Sequence, residues 1–219
     1  MQCPSDQGNL IEKDILAHWS FIDAVISLKP FPIGRVAFFV TGNIHKFNEA
    51  RWVLTEYGVA TALLRMKAPE IQDDDSEVIA KTGAAEAAKK CNLPVIVEEA
   101  GLFIEALNGF PGPYSSYVYR TIGTKGILKL MEKIENRRAS FYSAVAFGSP
   151  SRSPICFHGK AEGWISYEER GNLGFGFDPI FKPLDSKGET FAQMSIEQKS
   201  KLSHRAYAMR NFAQWYTSS

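Results

Sequence analysis

Acidic residues follow two of the predicted strands, at Glu70 and at the pair Glu98-Glu99. An α/β sheet holds ligands at the ends of its strands, and Mg²⁺ prefers hard oxygen ligands, so these carboxylates are candidate metal ligands. Because successive strand residues face opposite sides, Glu98 and Glu99 should not both enter one cleft, and one of them is predicted to be structural. Taken singly, each acid is more typical of a solvated loop.

A turn of sequence Thr41-Gly42-Asn43 follows a strongly apolar strand, and Lys46 comes just after it. The free N–H groups and positive end of a helix attract phosphate at such a turn, and Lys46 adds a full charge. The turn lacks the second glycine and the Lys-Ser/Thr ending of a P-loop. By itself it is more typical of an ordinary strand-to-helix turn with an exposed lysine.

Two later segments combine aromatic and polar groups. The loop Phe175-Gly176-Phe177-Asp178 offers aromatic faces to a purine beside a carboxylate that accepts hydrogen bonds, and its glycines permit a close backbone approach. The pair His204-Arg205 begins the last predicted helix and could donate to a base carbonyl or a phosphate. On their own, the loop is more typical of phenylalanines that fill a core, and the pair remains open as a surface feature.

The elements that must position these residues alternate between strand and helix patterns, which predicts an α/β fold. Strands are predicted at 35–40, 59–66, 94–98, 139–147 and 155–165, and helices at 46–57, 76–91, 123–134 and near the end of the chain. The strands at 139–147 and 155–165 would form a hairpin that projects from the main sheet. Asp73-Asp74-Asp75 is predicted to be a solvated helix start.

The last helix has one apolar stripe, which predicts that His204 and Arg205 lie largely off its buried face. The stripe consists of Leu202, Ala206, Met209, Ala213 and Tyr216. Residues 1–33 differ in pattern from the rest of the chain: they contain a short apolar helix candidate, and a proline-rich stretch that disfavours helix follows it. They are predicted to be an appendage of unknown role. Residues 34–219 then form the working domain.

Bulk composition narrows the class of protein. The chain has 219 residues, 45% of them hydrophobic, and a net charge of +1, so nothing global attracts a nucleic acid polymer or an anionic membrane. The three cysteines are far apart and form no disulfide or zinc spacing, which favours a reducing cytoplasm. Neither a membrane span nor a convincing signal peptide is predicted.

Six segments, in order over nearly all of residues 35–217, resemble the inosine triphosphate pyrophosphatase family. They are Thr41-Gly42-Asn43 with Lys46, Pro69-Glu70-Ile71-Gln72, Glu99-Ala100-Gly101-Leu102, Gly109-Phe110-Pro111-Gly112-Pro113-Tyr114-Ser115-Ser116, Gly174-Phe175-Gly176-Phe177-Asp178-Pro179 and Ser203-His204-Arg205. The resemblance implies an elongated α/β fold with a central mixed sheet flanked by helices, two lobes around a cleft, and a homodimer. It also implies Mg²⁺-dependent hydrolysis of ITP, dITP and XTP, which are noncanonical purine nucleoside triphosphates, to the monophosphate and pyrophosphate.

The resemblance also implies roles for individual residues. The metal ligands would be Glu70 and Glu99, and Glu99 would be catalytic. The turn and Lys46 would hold the phosphates, while the aromatic loop and His204-Arg205 would recognise the base. The substrate-binding residues implied are Thr41, Gly42, Asn43, Lys46, Lys81, Ala100, Phe175, Gly176, Phe177, Asp178, Lys199, His204 and Arg205.

One position departs from the family pattern, because Glu99 stands where the family has an aspartate. The change keeps the charge but adds a methylene, and a displacement of about 1 Å can cost about a hundredfold in rate. A nucleotide-binding relative with impaired catalysis is therefore an alternative. A pyrophosphatase for pyrimidine or modified nucleotides is a second, and an RNA-binding module is disfavoured because no basic stripe alternates with aromatics.

Overall fold

The structure, a computed structural model, describes residues 35–66 and 71–218. The predicted appendage at 1–33 and the predicted metal ligand Glu70 lie outside these residues. Within them, no helix combines the length and the apolar character that crossing a lipid bilayer requires.

Strands and helices alternate through the first half of the described chain, and a long hairpin and two helices follow. The strands are β1 (Val36–Val40), β2 (Ala60–Leu64), β3 (Val95–Ile104), β4 (Pro111–Gly112), β5 (Arg138–Ser149), β6 (Arg152–Ile165) and β7 (Phe181–Pro183). The helices are α1 (Ile44–Glu56), α2 (Ser76–Cys91), α3 (Ser115–Thr121), α4 (Gly123–Leu130), α5 (Ile196–Ser200) and α6 (His204–Ser218). Short 3₁₀ turns lie at Glu105–Leu107, Asp178–Ile180 and Phe191–Gln193.

The described strands form one mixed sheet in the order β2-β1-β3-β5-β6-β7, with β4 paired to β3. Strand β1 pairs in parallel with β2 and β3, whereas β3, β5, β6 and β7 pair antiparallel. Helices flank this sheet, so the predicted α/β class with a central mixed sheet is confirmed.

Strand β3 is longer than predicted, and Glu98-Glu99 lies in its middle rather than at its end. The reason is that β5 pairs with β3 over ten residues, from Val95 opposite Gly148 to Ile104 opposite Ala139. The predicted hairpin forms as β5 and β6. It is part of the main sheet, however, and the prediction that it projects from the sheet is wrong.

Both faces of the sheet are covered, as strand alternation requires. On one face, Ile96 packs with residues of α1 and α6. On the other, Val95 and Val97 pack under the alanine-rich helix α2. A third cluster, around Phe181 and Phe191, packs on the last residues of β3, including Leu102 and Ile104.

Helix ends differ from prediction by a few residues. Helix α1 starts at Ile44 rather than at Lys46, because the Asn43 side chain accepts hydrogen bonds from the N–H groups of His45 and Lys46 and so caps the helix. Helix α4 ends at Leu130. The predicted role of Asp73-Asp74-Asp75 agrees with the structure, where Asp75 is the N-cap of α2.

Candidate active site

A cavity of about 490 Å³ lies beside the start of α1, and its lining residues come from distant parts of the chain. The sequence-predicted residues that line it are Asn43, Ala100, Phe175, Gly176, Phe177, Asp178, His204 and Arg205. Its other lining residues include His45, Ser115, Ser116, Tyr119 and Phe141. A second cavity of about 430 Å³, beside Trp164, is lined by none of the predicted residues. The first cavity is therefore the candidate site.

The turn before α1 has part of its hydrogen-bonding capacity already in use. The Asn43 carboxamide accepts from the His45 N–H at 2.9 Å and from the Lys46 N–H at 3.3 Å. The Thr41 hydroxyl in turn accepts from the Asn43 N–H at 3.1 Å. Exposed Gly42 completes the turn. A phosphate bound at this turn would contact the N-terminal end of α1 and the Lys46 ammonium. It would also accept hydrogen bonds from the backbone N–H groups of His45 and Lys46 if the Asn43 side chain no longer bound them.

Glu98 is the structural member of the acidic pair. Its carboxylate accepts from the Ser143 hydroxyl at 2.7 Å and from Arg205 Nε at 3.1 Å, and it lies 3.0 Å from Lys46 Nζ. Burial by itself raises the pKa of Glu98, but Arg205 and Lys46 outweigh it and the pKa is lowered. The prediction that one of the two acids serves structure therefore agrees with the geometry.

The charge of Lys46 is maintained by both acids of β3. Burial by itself lowers the pKa of Lys46, but the carboxylates of Glu98 and Glu99 outweigh it, so its pKa is raised. Its ammonium also donates to the Glu98 carbonyl oxygen at 3.1 Å. Lys46 thus stays protonated in the first turn of α1, next to the cavity residue His45.

Glu49, which the sequence analysis missed, connects the two remaining cations of the site. Its carboxylate accepts from Arg205 Nη1 at 2.6 Å and from Lys199 Nζ at 2.7 Å. Burial raises the pKa of Glu49, but these two cations outweigh it and the pKa is lowered. The available signal was its spacing, because Glu49 is three residues after Lys46 and so shares a helix face with it. No comparable feature of the sequence points to Ser143, which donates to Glu98.

Lys199, which contacts Glu49, also forms an ion pair with Asp178. Lys199 Nζ lies 2.5 Å from the Asp178 carboxylate, and both side chains are 4% exposed. The same carboxylate accepts from the Phe175 N–H at 2.8 Å and so shapes the aromatic loop. Burial dominates here and raises the pKa of Asp178 despite the nearby Lys199.

The aromatic loop presents one open ring and one buried ring. Phe175 stacks on His45 with ring centroids 5.2 Å apart, and the Arg205 guanidinium lies 5.3 Å from the Phe175 centroid. Phe177 is only 3% exposed and makes an edge contact with Tyr119. Phe175 is therefore the ring available to a ligand, and Phe177 supports the cavity wall.

His204 and Arg205 are each 2% exposed, so the prediction that they lie largely off the buried face of the last helix is wrong. The first turn of α6 lies directly on β6 at Gly159, where a Cβ would collide with the His204 carbonyl oxygen. The His204 ring stacks on Phe141 at 4.6 Å. Burial, followed by Arg205, lowers the pKa of His204 well below its ordinary value, so the imidazole is neutral.

The Nδ1 atom of His204 is buried and has no hydrogen-bond partner among the described residues. A buried polar atom without a partner is costly and usually marks a place where a ligand or water binds. In this cavity, His204 is therefore positioned for a ligand group that hydrogen-bonds a neutral imidazole.

Six of the predicted site residues that the structure describes do not line the cavity: Thr41, Gly42, Lys46, Lys81, Glu99 and Lys199. Half-buried Glu99 pairs with Ala144 in the sheet and therefore faces α2, opposite to Glu98. Lys81 lies on α2 and forms an ion pair with Glu77, one turn before it. Glu99 and Lys81 therefore belong to the α2 side of the sheet.

A mixed sheet with an aromatic cavity next to a helix N-terminus defines an α/β protein whose site suits a nucleotide. A sequence model of the Ham1 family matches residues 37–215. The chain belongs to this family.

Individual relatives agree with this assignment. The dITP/XTP pyrophosphatase of Methanopyrus kandleri is 51% identical over 178 residues, which cover 81% of this chain and 94% of that protein. That of Methanothermobacter marburgensis is 49% identical over 179 residues, covering 82% and 95%. The solved structure of the Staphylococcus aureus Ham1 protein has a TM-score of 0.72 at 27% identity and covers 84% of this chain and 99% of its own. A HAM1 protein from Coxiella burnetii gives 0.72 at 28% identity, covering 85% and 100%. These matches confirm the resemblance found from the six segments.

Proposed function

We propose that this protein hydrolyses noncanonical purine nucleoside triphosphates (ITP, dITP and XTP) to the monophosphate and pyrophosphate. The observation that carries the proposal is the cavity where the Phe175 ring, the neutral His204 imidazole and the Arg205 guanidinium meet. The relatives named dITP/XTP pyrophosphatase, at 44–51% identity, support the same substrate class.

The base would lie against Phe175, next to His204 and Arg205. A purine with a keto oxygen at its six-position offers an acceptor to these donors. Adenine would place an amino donor there instead, and a buried donor left without an acceptor costs about 1–3 kcal/mol. Discrimination against ATP follows from this mismatch.

The triphosphate would extend from the base toward the turn before α1 and toward Lys46. The Lys46 ammonium stays charged beside Glu98 and Glu99 and would neutralise phosphate oxygens. Water attacks the α-phosphorus, the bond from that phosphorus to the bridging oxygen breaks, and pyrophosphate leaves. Glu99 would accept the proton of the attacking water.

The donor groups present fit Mg²⁺. Glu99 provides a half-buried carboxylate close enough to Lys46 to act on its charge, and Mg²⁺ is commonly bound by one or two carboxylates together with substrate phosphates. Glu99 and Glu70 would hold the ion. When bound, it would offset charge on the triphosphate and on the departing pyrophosphate.

The alternative of a relative with impaired catalysis gains no support from the comparisons. Glu98 is the acid of the pair that forms the buried ion pairs with Lys46 and Arg205, and we assign the metal and the attacking water to Glu99. We further propose that the protein acts in the cytoplasm as a homodimer, as the family resemblance implies, and that residues 1–33 are a separate appendage.

A panel of nucleoside triphosphates assayed with Mg²⁺ tests the proposal, with pyrophosphate and orthophosphate measured separately. We expect pyrophosphate from ITP, dITP and XTP and much less product from ATP. Orthophosphate as the product, preference for pyrimidine triphosphates, or ITP binding without turnover would each contradict the proposal. Glu99→Gln is the control for contaminating phosphatases, because turnover by this protein should collapse in that variant.

A further inference from the structure

Three potential metal ligands meet on the α2 side of the sheet, outside the cavity. Glu77 belongs to the first turn of α2, and Cys156 and His158 belong to β6. One ligand atom of each (a carboxylate oxygen, the thiol sulfur and an imidazole nitrogen) lies within 4.8 Å of the other two. In the part of the chain that the structure describes, no other three side chains of these types or Asp come this close.

The cluster has the dimensions of a small tetrahedral site. Ligand atoms at roughly 2.0–2.3 Å from a zinc ion lie about 3.5 Å from one another, so movements of less than about 1 Å would bring the three atoms onto one ion. Cys156 and His158 are two residues apart on a strand and therefore point to the same side. Because all three residues are only half-buried, solvent can supply the ion and a fourth ligand.

Both ring nitrogens of His158 have a polar partner. Its Nε2 lies 3.1 Å from the Glu77 carboxylate, and its Nδ1 shares a hydrogen bond with the Tyr142 hydroxyl. When Nδ1–H donates to the Tyr142 oxygen, the lone pair of Nε2 faces the carboxylate and is available to an ion. Outer hydrogen bonds of this kind fix the tautomer and the ring of a metal ligand.

We propose that Glu77, Cys156 and His158 bind one Zn²⁺ ion, with water as the fourth ligand. Thiolate and imidazole ligands favour zinc and similar transition-metal ions over Mg²⁺. This site differs from the one proposed for the triphosphate metal, because Ala144 on β5 separates His158 from Glu99 across the sheet. The spacing of cysteines along the sequence gave no zinc pattern, since the ligands come from two elements and only one of them is a cysteine.

Two features of the cluster oppose metal binding: the Lys81 ammonium and the proton of the Cys156 thiol. They predict how substitutions should change the zinc affinity. The Lys81 ammonium forms an ion pair with Glu77 and must release it. Burial, followed by the Glu77 carboxylate, raises the pKa of the Cys156 thiol to about 11, so the ion must displace a proton. Removing Lys81 should therefore strengthen zinc binding.

The test uses the full chain freed of metal and titrated with Co²⁺ and Zn²⁺ in excess Mg²⁺. Co²⁺ should give a sulfur-to-cobalt charge-transfer band, and one equivalent of Zn²⁺ should remove it. Cys156→Ser should abolish the band, and His158→Gln should weaken zinc binding by at least about tenfold. Lys81→Met should raise the zinc affinity. Circular dichroism and thermal unfolding check that each variant is folded.

Cys91→Ser is the matched control, because Cys91 is the other half-buried free thiol of the described residues. It should leave the band and the zinc affinity unchanged, as should Glu99→Gln. The proposal is overturned by a missing band, by a band that survives Cys156→Ser, or by one lost in Cys91→Ser. Weaker zinc binding in Lys81→Met would also overturn it.

Discussion

Arg205 and Glu98 form a buried ion pair, with Nε 3.1 Å from Oε1 and side-chain exposures of 3% and 0%. The pair joins the first turn of α6 to the middle of β3. It belongs to a continuous chain of six charged side chains that alternate in sign: Lys46, Glu98, Arg205, Glu49, Lys199 and Asp178. This chain of charges holds α1, α5, α6 and the aromatic loop in register around the cavity.

Glu98→Gln should destabilise the protein strongly, because it leaves Arg205 and Lys46 buried with one counter-charge fewer. Breaking a buried pair typically costs about 3–5 kcal/mol. Chemical denaturation of the two proteins measures the difference in the free energy of unfolding. The control is Glu168→Gln, since the Glu168–Arg170 pair is exposed and should contribute at most about 1 kcal/mol. Equal losses in the two variants would mean that burial of the Glu98 pair has little energetic consequence.

Glu99→Gln should keep the fold and lose Mg²⁺-dependent turnover, because it removes the negative charge while nearly preserving shape. Glu99→Asp should be tolerated or beneficial, since it restores the shorter side chain found in the family. Steady-state kinetics with ITP and thermal unfolding separate the two effects. Full activity in Glu99→Gln would show that the catalytic carboxylate has been placed wrongly.

Gly174→Ala should weaken nucleotide binding as well as stability. Gly174 has a φ of +72°, and a Cβ there would meet the Asp178 carboxylate that positions the Phe175 backbone. Gly188→Ala is the matched control, because its φ of +88° is equally unfavourable for alanine while the space around it is open. Both variants should lose about 1–3 kcal/mol of stability.

Only Gly174→Ala should raise KM for ITP, because only that change disturbs the loop beside the cavity. The measurement is KM for ITP in both variants, under conditions where each variant is folded. A KM unchanged in Gly174→Ala would remove Asp178 from the proposed positioning of the aromatic ring.

Acid should destabilise the protein through His204 before the carboxylates titrate. The folded pKa of His204 is lowered, so below about pH 6.5 the unfolded chain binds a proton that the folded chain does not. Stability should therefore fall with decreasing pH at up to about 1.4 kcal/mol per pH unit, until the folded pKa is reached.

His204→Gln should remove this component, so that stability between pH 7 and pH 5 becomes flatter than in the unsubstituted protein. Denaturation curves at several pH values measure the two slopes. An unchanged slope in His204→Gln would mean that folding does not lower the pKa of His204.

Local patterns in the sequence determined the fold class and most of the elements. The apolar run at 35–40 and the limits of α2 agree with the structure, because strand and helix periodicity follow from neighbouring residues alone. Strand alternation also indicated that Glu98 and Glu99 must face opposite sides. The aromatic loop and His204-Arg205 were identified by residue type, and the structure brings them to one cavity.

Only the tertiary structure decided which acid is buried, how far β3 extends, and where His204 and Arg205 point. Each of these depends on a partner distant in sequence: β5 extends β3, Gly159 admits the start of α6, and Arg205 neutralises Glu98. Glu49 likewise acquires its role from cations more than a hundred residues away. Burial and charge pairing are properties of contacts between segments, so they are set when the chain packs and not by the local pattern of residues.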